Sequence, residues 1–274
     1  MAIIAMTREM GSRGREVAQR LADELGLTFV LHELVEHDLA ERMHVPESAV
    51  HHRFEGAATL RERWQTGSKR LAQYTAEEIL ELAQKGNILI RGWGACVLLR
   101  EVPHVVRVRV CAPMQLRVRS VVERHSKDSS AAHQEIERND AAHKRTLQAA
   151  FSVDREDPLL YDLVLNTERT TIETCVRLVR ELVESPEFRE TDASRAILDD
   201  KVLEAHVCTK LGERFTAGTG VTGIEVTARG GKVVLRGVAI HSALAAEAGK
   251  IVGAISGVKD VQNRIEIVHG PRGL

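Results

Sequence analysis

The chain has 274 residues, 43% of them hydrophobic and 28% charged, with a formal net charge of −1. That length suggests two domains, the apolar share can fill a sizeable core, and near neutrality gives no overall pull toward nucleic acid or an anionic membrane. Aromatic residues make up only 3% of the chain, which argues against a base-stacking platform, so no nucleic-acid partner is expected.

The first stretch, Ala2-Ile3-Ile4-Ala5-Met6, is apolar without alternation, as in a parallel strand buried on both faces. A short loop with two glycines and three arginines follows, Thr7 to Glu16, and then a run with Val17, Leu21 and Leu25 at helical spacing. Strand, glycine loop and helix aim backbone N–H groups and a helix N-terminus at a phosphate. Gly14-Arg15 stands where the standard phosphate loop has Gly-Lys, Glu9 replaces its first glycine, and Glu16 replaces its hydroxyl residue. A tight turn with a solvated arginine rim is the competing reading of this stretch alone.

Gly26 should stop the first helix, and 27–31 reads as a short strand. A helix follows from His32 to Met43, with Pro46 opening another. His44, His51 and His52 lie nearby, but without a carboxylate or cysteine at ligand spacing they read as exposed histidines. Leu60 to Lys85 reads as a long helix ended by Gly86-Asn87.

The next apolar strand, 87–91, runs into a second glycine loop, Gly92-Trp93-Gly94-Ala95. Ligands of open α/β sheets gather at such strand ends. Val105 to Val110 is a third strand, in which Arg107 and Arg109 alternate with valines. Helices follow from Pro113 to His125 and from Ser129 to Ala150, the second rich in Arg, Lys and His: Arg138, His143, Lys144 and Arg145. A charge run of this kind also fits a plain solvated face. A strand at 161–166 and a helix from Thr171 to Glu184 complete a βα pattern typical of a mostly parallel sheet.

Residues 186–193 read as a linker. Beyond it come a helix from Ala196 to Leu211, a hairpin turning at Arg229-Gly230-Gly231, a small-residue helix from Ser242 to Ile255 and a last strand from Val258. The αββαβ order makes a second small domain, 194–268. From Ala193 onward 11 Lys/Arg face 8 Asp/Glu, leaving +3 there. Cys96, Cys111, Cys175 and Cys208 form no CxxC pair and read as reduced thiols. With no export signal at the start and no run of about 20 apolar residues, the expected location is the cytoplasm.

Ile4-Ala5-Met6-Thr7-Arg8-Glu9-Met10-Gly11-Ser12-Arg13-Gly14-Arg15-Glu16 resembles the opening of cytidylate-kinase-like proteins. The likeness continues through Ile90-Arg91-Gly92-Trp93-Gly94-Ala95, Val110-Cys111-Ala112-Pro113 and Asp157 to Thr167, covering nearly all of residues 1–185. Gly223 to Val226, Gly231 to Gly237 and Gly257 to Ile265 resemble a BON domain, a family linked to phospholipid surfaces or other macromolecules.

The resemblance implies a P-loop kinase-like domain over 1–185, with a three-layer parallel sheet and helices on both faces. It implies phosphoryl transfer from ATP, with Mg²⁺, to CMP or a related small acceptor. Gly11, Ser12, Arg13, Gly14, Arg15 and Glu16 would bind the donor, with Glu16 on the metal. Arg15, Arg117, Arg138 and Arg145 would be catalytic, while Arg91, Trp93, Arg124 and Asp140 would hold the acceptor or, for Asp140, order a closing lid. Trp93 stands where the family's acceptor-phosphate arginine is expected, and Leu31-His32 where relatives often show Asp-Arg. The alternative is a catalytically weak nucleotide sensor whose BON-like domain binds a protein, a second copy of the chain or a phospholipid surface.

Overall fold

The computed structural model describes residues 1–30, 32–54, 68–92, 94–126, 128–216 and 218–268. The chain divides into two compact units, Met1–Thr191 and Asp192–Leu274.

In the first unit β1 (Ile3–Arg8), β2 (Thr28–Val30), β3 (Ile88–Arg91), β4 (Val105–Cys111) and β5 (Leu163–Asn166) form one sheet in the order β2-β3-β1-β4-β5. Every pairing is parallel; Ile4, for example, lies between Leu89 and Val106. The central strand β1 is buried on both faces from Ile3 to Met6, which is why its apolar run does not alternate.

On one face, α1 (Gly14–Leu25) and α8 (Ile172–Glu184) set Val17, Leu21, Cys175, Val176 and Val179 against Ile4, Met6, Val106, Val108 and Val110. On the other, α4 (Ser68–Lys85) packs against β3 and α5 (Ala95–Leu98) against β1. The remaining helices are α2 (His32–Met43), α3 (Glu47–Phe54), α6 (Met114–His125) and α7 (Ser129–Phe151). Asp128 caps α7 by accepting from the N–H groups of Ser130 and Ala131 at 2.7 and 3.2 Å.

Several boundaries differ from the sequence reading. Gly26 does end α1, in a left-handed conformation with φ 63°. β5 begins two residues late because Tyr161 and Asp162 are used otherwise, Asp162 binding the Arg107 guanidinium at 2.7 Å. The half-covered face predicted at β4 is thus closed by ion pairs instead of apolar residues. The helix expected from Leu60 is described only over α4, and the part before Ser68 lies outside the described residues. The 186–193 stretch is partly ordered, with a 3-10 turn at Pro186–Phe188 and a helix beginning at Asp192.

The second unit is α9 (Asp192–Arg214), β6 (Val221–Arg229), β7 (Lys232–Ala239), α10 (Ser242–Gly253) and β8 (Asp260–Ile267). β6 and β7 form the predicted hairpin, and β8 joins β7 in parallel after the α10 crossover. Leu203, Val207, Leu211, Val233, Leu235, Ala248 and Val252 make its own core. No helix among the described residues is long and apolar enough to cross a membrane.

Candidate functional site

The β1–α1 loop is tied down from beneath. Ser12 is fully buried; its hydroxyl donates to Val110 O at 3.2 Å and its carbonyl accepts from Thr167 Oγ1 at 2.8 Å. The Ser12 side chain therefore shapes the loop from beneath. Gly11 sits at φ 80°, and a Cβ there would lie 2.4 Å from Arg117 O, so only glycine fits. The first intrahelical hydrogen bond of α1 is Val17 N–H to Arg13 O at 3.2 Å. The N–H groups of Gly14, Arg15 and Glu16 precede it and have no acceptor within the helix. Together with the helix dipole they form an anion-binding end, with the exposed Arg13 and Arg15 side chains at its rim.

Glu16 and Arg124, predicted in separate roles, form an ion pair across this end. The second carboxylate oxygen of Glu16, Oε2, is buried with no hydrogen-bond partner. One unpartnered carboxylate oxygen beside a helix N-terminus suited to an anion fits Mg²⁺, which takes one or two carboxylates plus phosphate oxygens and water.

Behind the loop runs a closed ring of charged groups. Glu9 Oε1 binds Arg109 Nη2 at 2.8 Å, and Glu9 Oε2 accepts from Ala112 N–H at 3.2 Å and faces Arg117 Nη1 at 3.6 Å. Arg117 is buried; its Nε donates to Met10 O at 2.7 Å and its Nη1 pairs with Asp140 at 2.8 Å. Asp140 reaches Arg155 Nη1 at 3.7 Å, and the Arg155 carbonyl accepts from Arg109 Nη1 at 2.7 Å, closing the ring. Arg155 also donates to Arg8 O at 3.3 Å. Arg117 thus spends Nε and Nη1 on the loop and on α7, while its Nη2 is buried with no hydrogen-bond partner among the described residues.

A cavity of about 320 Å³ opens at the C-terminal ends of β1 and β3, the sheet edge where open α/β folds bind ligands. Its lining includes Arg8, Arg91 and Arg155 from below and Asn139, Ala142, His143 and Thr146 of α7 from one side. Leu71, Ala72 and Thr75 of α4 line another side, and Glu36 and His51, paired at 3.0 Å, line it from α2 and α3. Burial and the neighbouring Arg91 and Arg124 lower Arg8 to about 10. Burial, then Arg155 and Arg8, pull His143 down to about 4, so its imidazole is neutral at pH 7. Burial raises the Tyr161 hydroxyl, which also lines the cavity, to about 12.

Of the predicted residues, Arg91 and Arg145 line the cavity. The Arg91 guanidinium lies 5.5 Å over the Phe29 ring. Trp93 and Leu31 fall outside the described residues. Arg138 is exposed, donates to Gln134 O of its own helix at 3.2 Å and is not among the lining residues. Arg8, Arg155 and Glu9 were given no site role, and His143 was read only as part of the basic run on α7. Arg8 could have been found, because it ends the buried strand at the loop. Arg155 and Glu9 carry no local signal, since their partners lie up to 147 residues away.

Comparison with known proteins agrees with this geometry. Residues 3–169 match the cytidylate kinase-like family, and residues 199–269 match the BON domain. A cytidylate kinase of Staphylothermus marinus is 27% identical over 104 residues, 38% of this chain and 58% of that enzyme. The chain thus spans little more than half of that relative's length. A cytidylate kinase of Pyrobaculum aerophilum is 24% identical over 178 residues, 65% of this chain and 90% of that enzyme. The crystal structure of an uncharacterized protein from Eubacterium ventriosum shares the fold with a TM-score of 0.55 and 19% identity, covering 68% of this chain and 99% of that one. With more than half of its residues matched and a nucleoside monophosphate kinase-like fold, the chain belongs to the cytidylate kinase-like family.

Proposed function

We propose that the first unit transfers a phosphoryl group from ATP to a nucleoside monophosphate, CMP or a related small acceptor. One arrangement carries the reading: the Arg8 side chain lies against Gly14 at the start of α1, where Glu16 pairs with Arg124, and together with Arg91 it lines the cavity. Two anion-binding places thus flank one arginine, as in-line transfer between two phosphates requires.

The donor phosphates take the N–H groups of Gly14, Arg15 and Glu16, and Arg15 supplies the charge that a lysine gives elsewhere. Arg8, Arg91 and Arg155 hold the acceptor phosphate, whose oxygen is aimed at the donor. Arg145, on α7, adds charge from the cavity wall. Catalysis then rests on positioning and on neutralising the phosphate oxygens. Glu16 Oε2 would hold Mg²⁺, which supplies further charge neutralisation on the donor phosphates. The second unit acts outside the chemistry, as a docking module for a protein or a phospholipid surface.

The Glu16–Arg124 pair across the helix N-terminus favours the second reading, a nucleotide sensor with little turnover. Incubating the purified chain with ATP and a panel of nucleoside monophosphates decides between them by measured ADP and product formation. Turnover of CMP or another monophosphate is expected. ATP binding without phosphorylation of any acceptor would establish the sensor instead.

A further inference from the structure

Helix α7 presents Asn139, Ala142, His143 and Thr146 to the cavity, positions spaced i, i+3, i+4 and i+7 along one helical face. His143 is the titratable member of that row. It faces Arg8 from β1 and Arg155 from the segment after α7, with Asp140 one turn back on its own helix. The rest of the cavity adds Arg91 from β3, Arg145 from α7, and Arg53 beside the Glu36–His51 pair from α2 and α3. A half-buried imidazole that shares a cavity wall with two guanidinium groups stays unprotonated while the cavity is empty of anion.

We propose that a dianionic phosphate group entering this cavity draws a solvent proton onto His143, and that the imidazolium becomes a further hydrogen-bond donor to the bound group. The argument is electrostatic linkage. A dianion held by Arg8 and Arg155 cancels the two charges that oppose protonation and adds a favourable one. The only bond formed is N–H at the ring, and the proton comes from water. Burial, then Arg155 and Arg8, hold His143 of the free protein below its ordinary pKa, whereas in the complex the anion favours the imidazolium, so anion affinity rises as pH falls. The site then prefers a doubly charged phosphate group to a singly charged or neutral one. The proposal deepens the acceptor reading above and borrows from it only the identity of the natural ligand.

Inorganic sulfate is a suitable probe, because it is a dianion that does not titrate in this range. Calorimetric titration of the full chain at about pH 6, in two buffers of different ionisation enthalpy, counts the protons taken up. Net uptake is expected, together with a roughly tenfold gain in sulfate affinity from about pH 7.5 to about pH 5.5 if the bound imidazole regains its ordinary pKa. His143→Gln should abolish the uptake and cut the pH effect to about twofold or less, while His51→Gln keeps both. Should His143→Gln fail to fold, the imidazole resonance of His143 in the unaltered protein must move to a higher pKa when sulfate is added. No sulfate binding, no uptake, uptake that persists in His143→Gln, or a resonance that sulfate leaves unmoved would each overturn the proposal. Repeating the titration with CMP separates the two readings, since uptake with sulfate but no CMP binding keeps the proton linkage and removes the acceptor assignment.

Discussion

Arg117 and Asp140 meet at 2.8 Å, on α6 and α7 respectively, so two charges that a local reading turns toward a nucleotide are turned toward each other. Arg117 also donates to Met10 O in the β1–α1 loop. A single guanidinium therefore ties the β1–α1 loop to the helix that walls the cavity.

Removing it leaves Glu9 with Arg109 and Asp140 with the more distant Arg155 as their ion-pair partners among the described residues. Arg117→Ala should lose about 3–5 kcal/mol of folding stability, the range for one member of a buried ion pair. Urea unfolding with an unchanged m-value measures it. A loss below about 1 kcal/mol, the range of exposed pairs, would show that the ring carries little. Arg117→Lys keeps the charge but cannot serve Met10 O, Glu9 and Asp140 together, and should fall between the two.

Gly11 tests the loop in another way. Gly11→Ala places a methyl group against Arg117 O in a left-handed conformation, at a strain of about 1–3 kcal/mol. Thermal melting should show the loss, and ATP affinity should fall with it, because the α1 N-terminus can no longer sit where Met10 and Glu9 hold it. A variant with normal melting and normal ATP affinity would contradict the packing described for the loop.

Arg15 is exposed and has no hydrogen bond or ion pair among the described residues, so its variant isolates ligand binding. Arg15→Ala should leave stability unchanged and weaken ATP binding by about 1.5–3 kcal/mol, the worth of a hydrogen bond to a charged group. Calorimetry reads this directly, and an unchanged ATP affinity would remove the donor site from this loop.

His143 gives the unliganded protein an acid-sensitive stability. Its folded pKa, about 4, lies below the unfolded value of about 6.5. A depressed histidine pKa means that the unfolded chain binds the extra proton. The stabilising contribution is therefore complete above about pH 6.5 and is lost as pH falls toward 4, with an upper size on the order of 3 kcal/mol. Urea midpoints across this range should fall steeply with acid, and less steeply in His143→Gln. Equal slopes in the two proteins would show that the imidazole is not held neutral.

Legibility in the sequence followed range. β1, the loop from Gly11 to Glu16 and α1 were readable because apolar runs, glycines and helical spacing act within a few residues. The hairpin around Gly230 was readable for the same reason. The inward turn of Arg117 was not, because a helix rich in arginine looks alike whichever residue faces in, and the partners that decide it, Met10 and Asp140, are 107 and 23 positions away. Arg155 was invisible because it sits in an irregular segment after α7, with no period to mark it. Arg138 shows the converse, a cation beside the site in sequence that is turned to solvent in the fold. The parallel sheet brings Arg8, Arg91 and Arg155 to one edge, and that convergence is a property of topology alone.

The two units should separate cleanly, and the fold moves the place to cut. Residues of the sheet core in the first unit run from Ile4 to Val179, with Phe188 packed against them, while the second core runs from Leu203 to Ile265. Each is built from its own unit, and every group assigned to donor, metal or acceptor precedes Ser185. A cut at Ser185 would nevertheless remove Phe188, and Glu190, which binds the N-terminal ammonium at 2.7 Å. A chain ending at Thr191 keeps both and stops just before α9 begins. It should melt as one cooperative transition and bind ATP within about twofold of the full chain, a difference of about 0.4 kcal/mol. The piece from Asp192 onward should fold alone, with the far-ultraviolet circular dichroism of a mixed helix and sheet domain. If the Thr191 form unfolds, or folds and loses ATP, the units share a core or a site, and the second is part of the catalytic body and not a docking module.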